Sequence, residues 1–84
     1  MKLNEKLNAV SSKETLAMFV QDLRQNLLTS PDEWESTRLE SFLEALSAWI
    51  TDMDGYYINQ GILPPEQPTW KTVAEMLLAA KTYE

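Results

Sequence analysis

The sequence contains no cysteine and no histidine, and only two glycines. Without cysteine there is no disulfide framework and no thiol nucleophile. Catalytic triads that use cysteine or histidine are excluded, and so are zinc sites built on those side chains. Two glycines also leave no glycine-rich loop for phosphate. We therefore predict that the protein is not an enzyme, and that it holds no cofactor and no metal ion.

The carboxylates do not offer a metal site or an acid–base pair in place of the missing residues. Asp52 and Asp54, followed by Gly55, resemble part of a calcium-binding loop. However, Ile50 and Gly61 stand where that loop needs ligands, so the ligand spacing is absent. The carboxylates otherwise fall on the polar faces of predicted helices, where solvation is the simplest interpretation.

Basic residues are scarce as well, with 7 Lys and Arg against 13 Asp and Glu and a net charge of −6. Such a surface repels phosphate backbones, so we predict no nucleic-acid partner. No stretch approaches the roughly 20 apolar residues of a membrane span, and the N-terminal residues lack the apolar run of a signal peptide. We predict a cytoplasmic protein with no membrane partner. At 84 residues the chain is expected to form a single domain, 1–84.

The most regular pattern in the sequence is a helical apolar stripe in the middle of the chain. Its members are Leu39, Phe42, Leu43, Leu46, Trp49, Ile50, Met53, Tyr56 and Tyr57. Steps of three and four predict an α-helix over about 38–59. Thr37, followed by Glu40, fits a capping box at its start. The helix either ends at Gly55 or continues to a stop at Gly61, and the continuing period favours the second.

Two further stretches have the same period, and they predict helices over about 12–28 and 70–82. Ser11 with Glu14 fits a capping box before the first of them, and Thr69 is the expected N-cap of the second. A short fourth helix before residue 11 is left open, because Leu3, Leu7 and Val10 have helical spacing in a brief segment. The fold class is therefore all-α, a compact bundle of three main helices packed around the central one.

The number of aromatic residues is the most distinctive remaining feature of so short a chain. Five are candidates for a partner-binding surface: Trp34, Trp49, Tyr56, Tyr57 and Trp70. Tyrosine and tryptophan are favoured at binding hot spots, but they also dominate ordinary cores, so both interpretations stay open. Trp34 lies outside the helical stripes, and it either folds back onto the core or is exposed for binding.

Two motifs resemble a family of small bacterial proteins of unknown function. The first runs from Trp34-Glu35-Ser36-Thr37 into a Phe-Leu-Glu-Ala helix at residues 42–45, and Trp49 follows. The second is the closing pattern formed by Trp70, Ala74, Leu77, Ala79, Ala80, Lys81, Tyr83 and Glu84. The resemblance covers most of the chain from about Ser12. Ser36 departs from the asparagine expected there, and the link before Trp34 is shorter. The family implies a bacterial cytosolic protein and no catalytic residues.

Three functional hypotheses remain. The first is a non-enzymatic interaction module that binds another protein, or itself, through an aromatic end formed by Trp49, Tyr56, Tyr57 and Trp70. The second is an immunity-like or antitoxin-like acidic inhibitor, which attracts its basic partner by electrostatic steering. The third is a small-molecule-binding domain, which would need a deep pocket with an inward-facing carboxylate.

Overall fold

The described residues of the computed structural model, 3–35, 37–64 and 67–83, form four α-helices. They are α1 (Leu3–Asn8), α2 (Lys13–Thr29), α3 (Leu39–Asn59) and α4 (Trp70–Ala80), with a 3-10 turn at Pro31–Glu33 after α2. No strand occurs within these ranges. The predicted all-α bundle of three main helices is confirmed, and α1 settles the question of a fourth.

Helix α2 begins one residue later than the predicted capping box. Ser12, not Ser11, is the N-cap, and its hydroxyl accepts from the Thr15 amide at 3.2 Å. The Thr15 hydroxyl in turn accepts from the Ser12 amide at 2.9 Å. Because a threonine hydroxyl can satisfy the N-cap amide as a glutamate can, the reciprocal arrangement forms without Glu14.

The starts of α3 and α4 differ in how they are capped. Thr69 caps α4 as predicted, and Thr72 completes a reciprocal pair with it through bonds of 3.1 and 3.2 Å. The predicted capping box at the start of α3 is wrong, because the N-cap is Arg38 and no side chain caps this helix. The predicted cap, Thr37, lies one residue too early for the capping geometry.

Helix α3 runs through Gly55 and ends at Asn59, as the continuing apolar period predicted. Gly61 has a φ of 73°, a left-handed conformation that favours glycine. The amide of Ile62 donates to the Tyr57 carbonyl at 2.9 Å and that of Gly61 to the Ile58 carbonyl at 3.0 Å. These two bonds form a Schellman motif, which satisfies carbonyls that the helix end would leave unpaired. Part of the predicted extended link that follows, Pro65 and Glu66, lies outside the described residues.

The helix at the centre of the bundle is α4, although the sequence pattern had indicated α3. Helix α4 contacts α1, α2 and α3, whereas α3 packs against α4 and against no other helix in the described ranges. Ala74 and Ala80 are completely buried, and such small side chains let neighbouring helices approach α4 closely. The main core cluster lies between α4, α1 and α2, and consists of Leu3, Val10, Phe19, Leu23 and Ala74.

Much of the apolar stripe on α3 consequently faces solvent. Leu39, Leu43 and Ile50 are 74%, 54% and 46% exposed, while Ala45, Met53 and Tyr57 are buried. A single neighbouring helix covers only part of a stripe this wide, so the side away from α4 stays uncovered. No helix in the described part of the chain is both long and apolar enough to cross a lipid bilayer.

Candidate functional site: an aromatic groove

A groove with a volume of about 370 Å³ is lined by residues of the C-terminal half of α3, of α4 and of α1. We call it the aromatic groove, because three of the predicted aromatic residues line it. Its lining residues are Asn4, Leu7, Trp49, Tyr56, Tyr57, Gln60, Ile62, Glu75, Leu78 and Ala79. The periodicity of α3 places Trp49, Tyr56 and Tyr57 within two and a half turns of one helix, so they share one region of the surface.

The rings of the groove contact one another mostly edge to face. The centroid of Tyr56 lies 5.0 Å from that of Trp49 and 5.6 Å from that of Tyr57. Tyr83 extends this ring cluster beyond the groove lining, with its centroid 5.5 Å from that of Trp49 at an interplanar angle of 77°. Such tilted pairs match the quadrupoles of aromatic rings and fix the ring positions. The prediction that Trp49, Tyr56 and Tyr57 cluster together therefore agrees with the geometry.

Tyr83 was missing from the predicted set. It follows the end of α4, and its amide donates to the Ala79 carbonyl at 3.0 Å. Its spacing from Ala79 and Ala80, four and three residues, is the signal that could have placed it on the same side of α4. The hydroxyl of Tyr83 donates to the carboxylate of Asp52, which raises the pKa of the phenol.

The two neighbouring tyrosines occupy different environments. Tyr56 is 47% exposed and forms an open wall, whereas Tyr57 is buried. Adjacent residues on a helix diverge by about 100°, so one of the two was expected near the surface. The hydroxyl of Tyr57 donates to Oε2 of Glu75 at 2.7 Å. Burial, and then the hydrogen bond to Glu75 and its negative charge, raises the pKa of Tyr57 to about 12.

Trp49 contributes an unusual polar atom to the groove. Its indole Nε1–H is buried and finds no acceptor in the described part of the chain. A buried donor without a partner costs roughly 1–3 kcal/mol, so the ring is held here by its aromatic contacts and not by hydrogen bonding. Among the described residues that line the groove, Glu75 on α4 supplies the carboxylate.

Trp34 lies apart from the groove and folds back over the bundle. Its Nε1–H donates to Oδ1 of Asn26 at 2.7 Å, and its ring lies 6.1 Å from that of Phe42. The Lys81 ammonium lies 5.7 Å from the Trp34 ring centre and 3.4 Å from a carboxylate oxygen of Glu33. Of the two interpretations left open for this residue, the geometry fits an anchor that holds the link before α3 against α2, α3 and the residue that follows α4.

Trp70 also lies outside the groove, and this corrects the predicted aromatic end. It is 47% exposed at the first residue of α4, beside Val10 and Pro68. About three turns of α4 separate it from Ala80. In the described ranges, no ring contact joins it to Trp49, Tyr56 or Tyr57. Although Trp70 is close to Tyr56 and Tyr57 in sequence, the link between α3 and α4 places it at a different part of the surface.

Comparison with known families decides where the chain belongs. The model of a family of unknown function, DUF7660, matches residues 12–84. The chain is a member of DUF7660. The resemblance found in the sequence to a family of unknown function, from about Ser12 onward, is thereby confirmed. Comparisons with curated proteins and with solved structures found no match.

The DUF7660 match begins at the N-cap of α2, so α1 lies outside it. Two groove residues, Asn4 and Leu7, belong to α1, whereas the rings and Glu75 fall within the matched region. Two positions of the motifs seen in the sequence, Ser36 and Glu84, lie outside the described residues. The family description assigns no activity, so function must be argued from the groove itself. The described residues contain no group of three or more histidine, cysteine, aspartate or glutamate side chains placed to hold a metal ion.

Proposed function

We propose that the chain is a non-enzymatic protein–protein interaction module that binds its partner through the aromatic groove. The observation that carries the proposal is a set of three aromatic rings that contact one another and line an open groove, those of Trp49, Tyr56 and Tyr57. The side chain of Tyr56 is 47% exposed. Tyrosine and tryptophan bury large rigid areas at little entropic cost, and they are enriched at binding hot spots.

The charge of the chain favours a basic partner. A net charge of −6 on a small protein attracts positively charged surfaces and speeds their encounter. The same charge opposes pairing of two identical copies, so a different protein is preferred over self-association. An acidic inhibitor of a basic protein is one form that such a module can take.

Photo-crosslinking tests this proposal at one residue. A photoreactive phenylalanine derivative replaces Tyr56 in one variant and Met18 in a control variant. Met18 is 66% exposed on α2, so it matches Tyr56 as an exposed apolar residue outside the groove. We expect a discrete adduct in lysate of the source cells from position 56 and none from position 18.

The protein identified in that adduct is then purified and its affinity measured by calorimetry. The wild-type chain should bind it, and Tyr56→Ala should bind about tenfold or more weakly, as for a hot-spot tyrosine. Equal adducts from positions 18 and 56, or equal affinity for the wild type and Tyr56→Ala, would count against the groove as the binding surface.

A small-molecule site is the second candidate, and the groove volume favours it. A volume of about 370 Å³ lies within the range of ligand pockets, and Glu75 supplies a carboxylate in the wall. This function predicts no protein adduct at position 56. It also predicts a rise in melting temperature with a member of a small-metabolite library, and loss of that rise in Tyr56→Ala.

A further inference from the structure

We infer that the aromatic groove holds the guanidinium group of an arginine side chain from the partner, against the rings of Trp49 and Tyr56 and paired with the Glu75 carboxylate. The inference rests on the proposed interaction function and specifies its chemistry. It predicts that one positively charged side chain is the anchor of the partner.

The carboxylate of Glu75 supplies negative charge to the groove. It is half-buried in the wall of the groove, and only the hydroxyl of Tyr57 donates to it in the described part of the chain, at 2.7 Å to Oε2. No cationic side chain of the described residues lies within 4.0 Å of this carboxylate. The one ion pair among those residues joins Lys81 and Glu33. A partly desolvated carboxylate without a counter-charge attracts a cation more strongly than one in bulk water.

The rings of Trp49 and Tyr56 line the same groove as that carboxylate. The ring centroids of Trp49 and Tyr56 lie 5.0 Å apart at an interplanar angle of 60°. A cation within about 6 Å of an aromatic face is attracted by its quadrupole, and tryptophan gives the strongest such attraction. Rings and a carboxylate in one groove thus act on the same ligand charge.

Among cationic side chains, arginine fits these rings and this carboxylate best. Its guanidinium is planar, stacks on aromatic rings, and presents a fork of N–H donors to a carboxylate. It is also more weakly hydrated than an ammonium, so it enters a partly apolar groove at lower cost. Gln60 and Asn4 add side-chain amides to the lining, whose carbonyl oxygens can accept further N–H donors. The acidic surface of the chain steers such a partner toward the groove.

The test uses two peptides on the whole chain. One has a central arginine flanked by glycine and serine, and the other has citrulline, which has nearly the same shape without the charge. NMR follows the indole N–H signal of Trp49, assigned with Trp49→Phe, and the backbone amide of Tyr56. We expect the arginine peptide to shift both signals, and the citrulline peptide to bind about tenfold more weakly, as for one lost charge-assisted contact.

Two variants with the same change of charge locate the effect. Glu75→Gln keeps an acceptor for Tyr57 but removes the negative charge from the groove. Glu44→Gln removes the same charge from an exposed position on α3. We expect Glu75→Gln to weaken arginine-peptide binding about tenfold and Glu44→Gln less than about twofold. Equal losses in the two variants, or equal binding of the two peptides, overturn the inference.

The two proposals fail in different ways. If neither peptide shifts the signals while position 56 still crosslinks to a partner that Tyr56→Ala fails to bind, the arginine inference is wrong and the interaction function stands. If the same position crosslinks to nothing and neither peptide binds, both are wrong. Melting temperatures of Glu75→Gln and Glu44→Gln within a few degrees of the wild type show that the comparison concerns folded chains.

Discussion

At the scale of single residues, the groove depends on aromatic contacts that hydrogen bonds support only in part. Tyr57 is tied to Glu75 through its hydroxyl, whereas the indole N–H of Trp49 has no acceptor in the described ranges. The sequence predicted which α3 rings would cluster, because helical spacing fixes their directions. It could not predict the bond between Tyr57 and Glu75, since that depends on how α3 and α4 lie against each other.

Trp49 offers a pair of variants that separates ring packing from its unpaired donor. Trp49→Ala removes contacts with Tyr56 and Tyr83, and we expect it to lower the free energy of unfolding by about 2–4 kcal/mol, since the ring is half-buried. Trp49→Phe keeps a ring and removes the unpaired N–H, so it should change stability by less than about 1 kcal/mol. Urea unfolding measures both. Comparable losses would mean that the indole N–H is engaged after all.

The raised pKa of Tyr57 makes stability depend on alkaline pH. Below about pH 10 its phenol is protonated in both the folded and the unfolded chain, and the hydrogen bond to Glu75 contributes fully. Between about pH 10 and about 12 the unfolded chain loses the proton first, so stability falls as pH rises. Tyr57→Phe should have a shallower decline in urea unfolding over that window. An unchanged decline would contradict the assignment of the high pKa to Tyr57.

At the scale of helices, sequence patterns predicted the existence and approximate length of each helix better than they predicted its capping residues. Hydrophobic periodicity is a property of the helix itself, so α2, α3 and α4 were found within two residues of their bounds. Capping depends on one hydroxyl reaching one amide, and Ser12 with Thr15 satisfies this as well as Ser11 with Glu14 would have done. Local competition of this kind leaves a cap ambiguous by a residue or more.

The two glycines near the end of α3 should respond to alanine in opposite directions. A Cβ at Gly55 meets no atom within 4 Å, so Gly55→Ala should stabilise the chain by about 0.4–1 kcal/mol through the unfolded state. Gly61 also has free space, but its φ of 73° strains any other residue, so Gly61→Ala should cost about 1–2 kcal/mol. Thermal melts of the two variants provide the check. The same sign for both changes would argue against the helix end described here.

At the scale of the whole molecule, the sequence predicted the class of fold and the wrong central helix. The stripe on α3 is longer and richer in large apolar residues than the one on α4, so α3 looked like the scaffold. The centre of a small bundle is instead occupied by the helix that neighbours can approach closely, and Ala74 and Ala80 give α4 that property. Apolar periodicity shows which face of a helix can be buried, but which neighbours bury it is decided by the packing of all four helices.

Two single substitutions distinguish a bundle centred on α4 from one centred on α3. Ala74 is completely buried, so Ala74→Leu should force its neighbours apart and cost about 1–3 kcal/mol. Leu43 is 54% exposed, so Leu43→Ala should change stability by no more than about 0.5 kcal/mol. Ala17→Leu, at an exposed position on α2, controls for the added side chain and should be neutral. A loss of about 2–5 kcal/mol in Leu43→Ala with Ala74→Leu tolerated is what a core around α3 requires, and chemical denaturation of the three variants decides between the two arrangements.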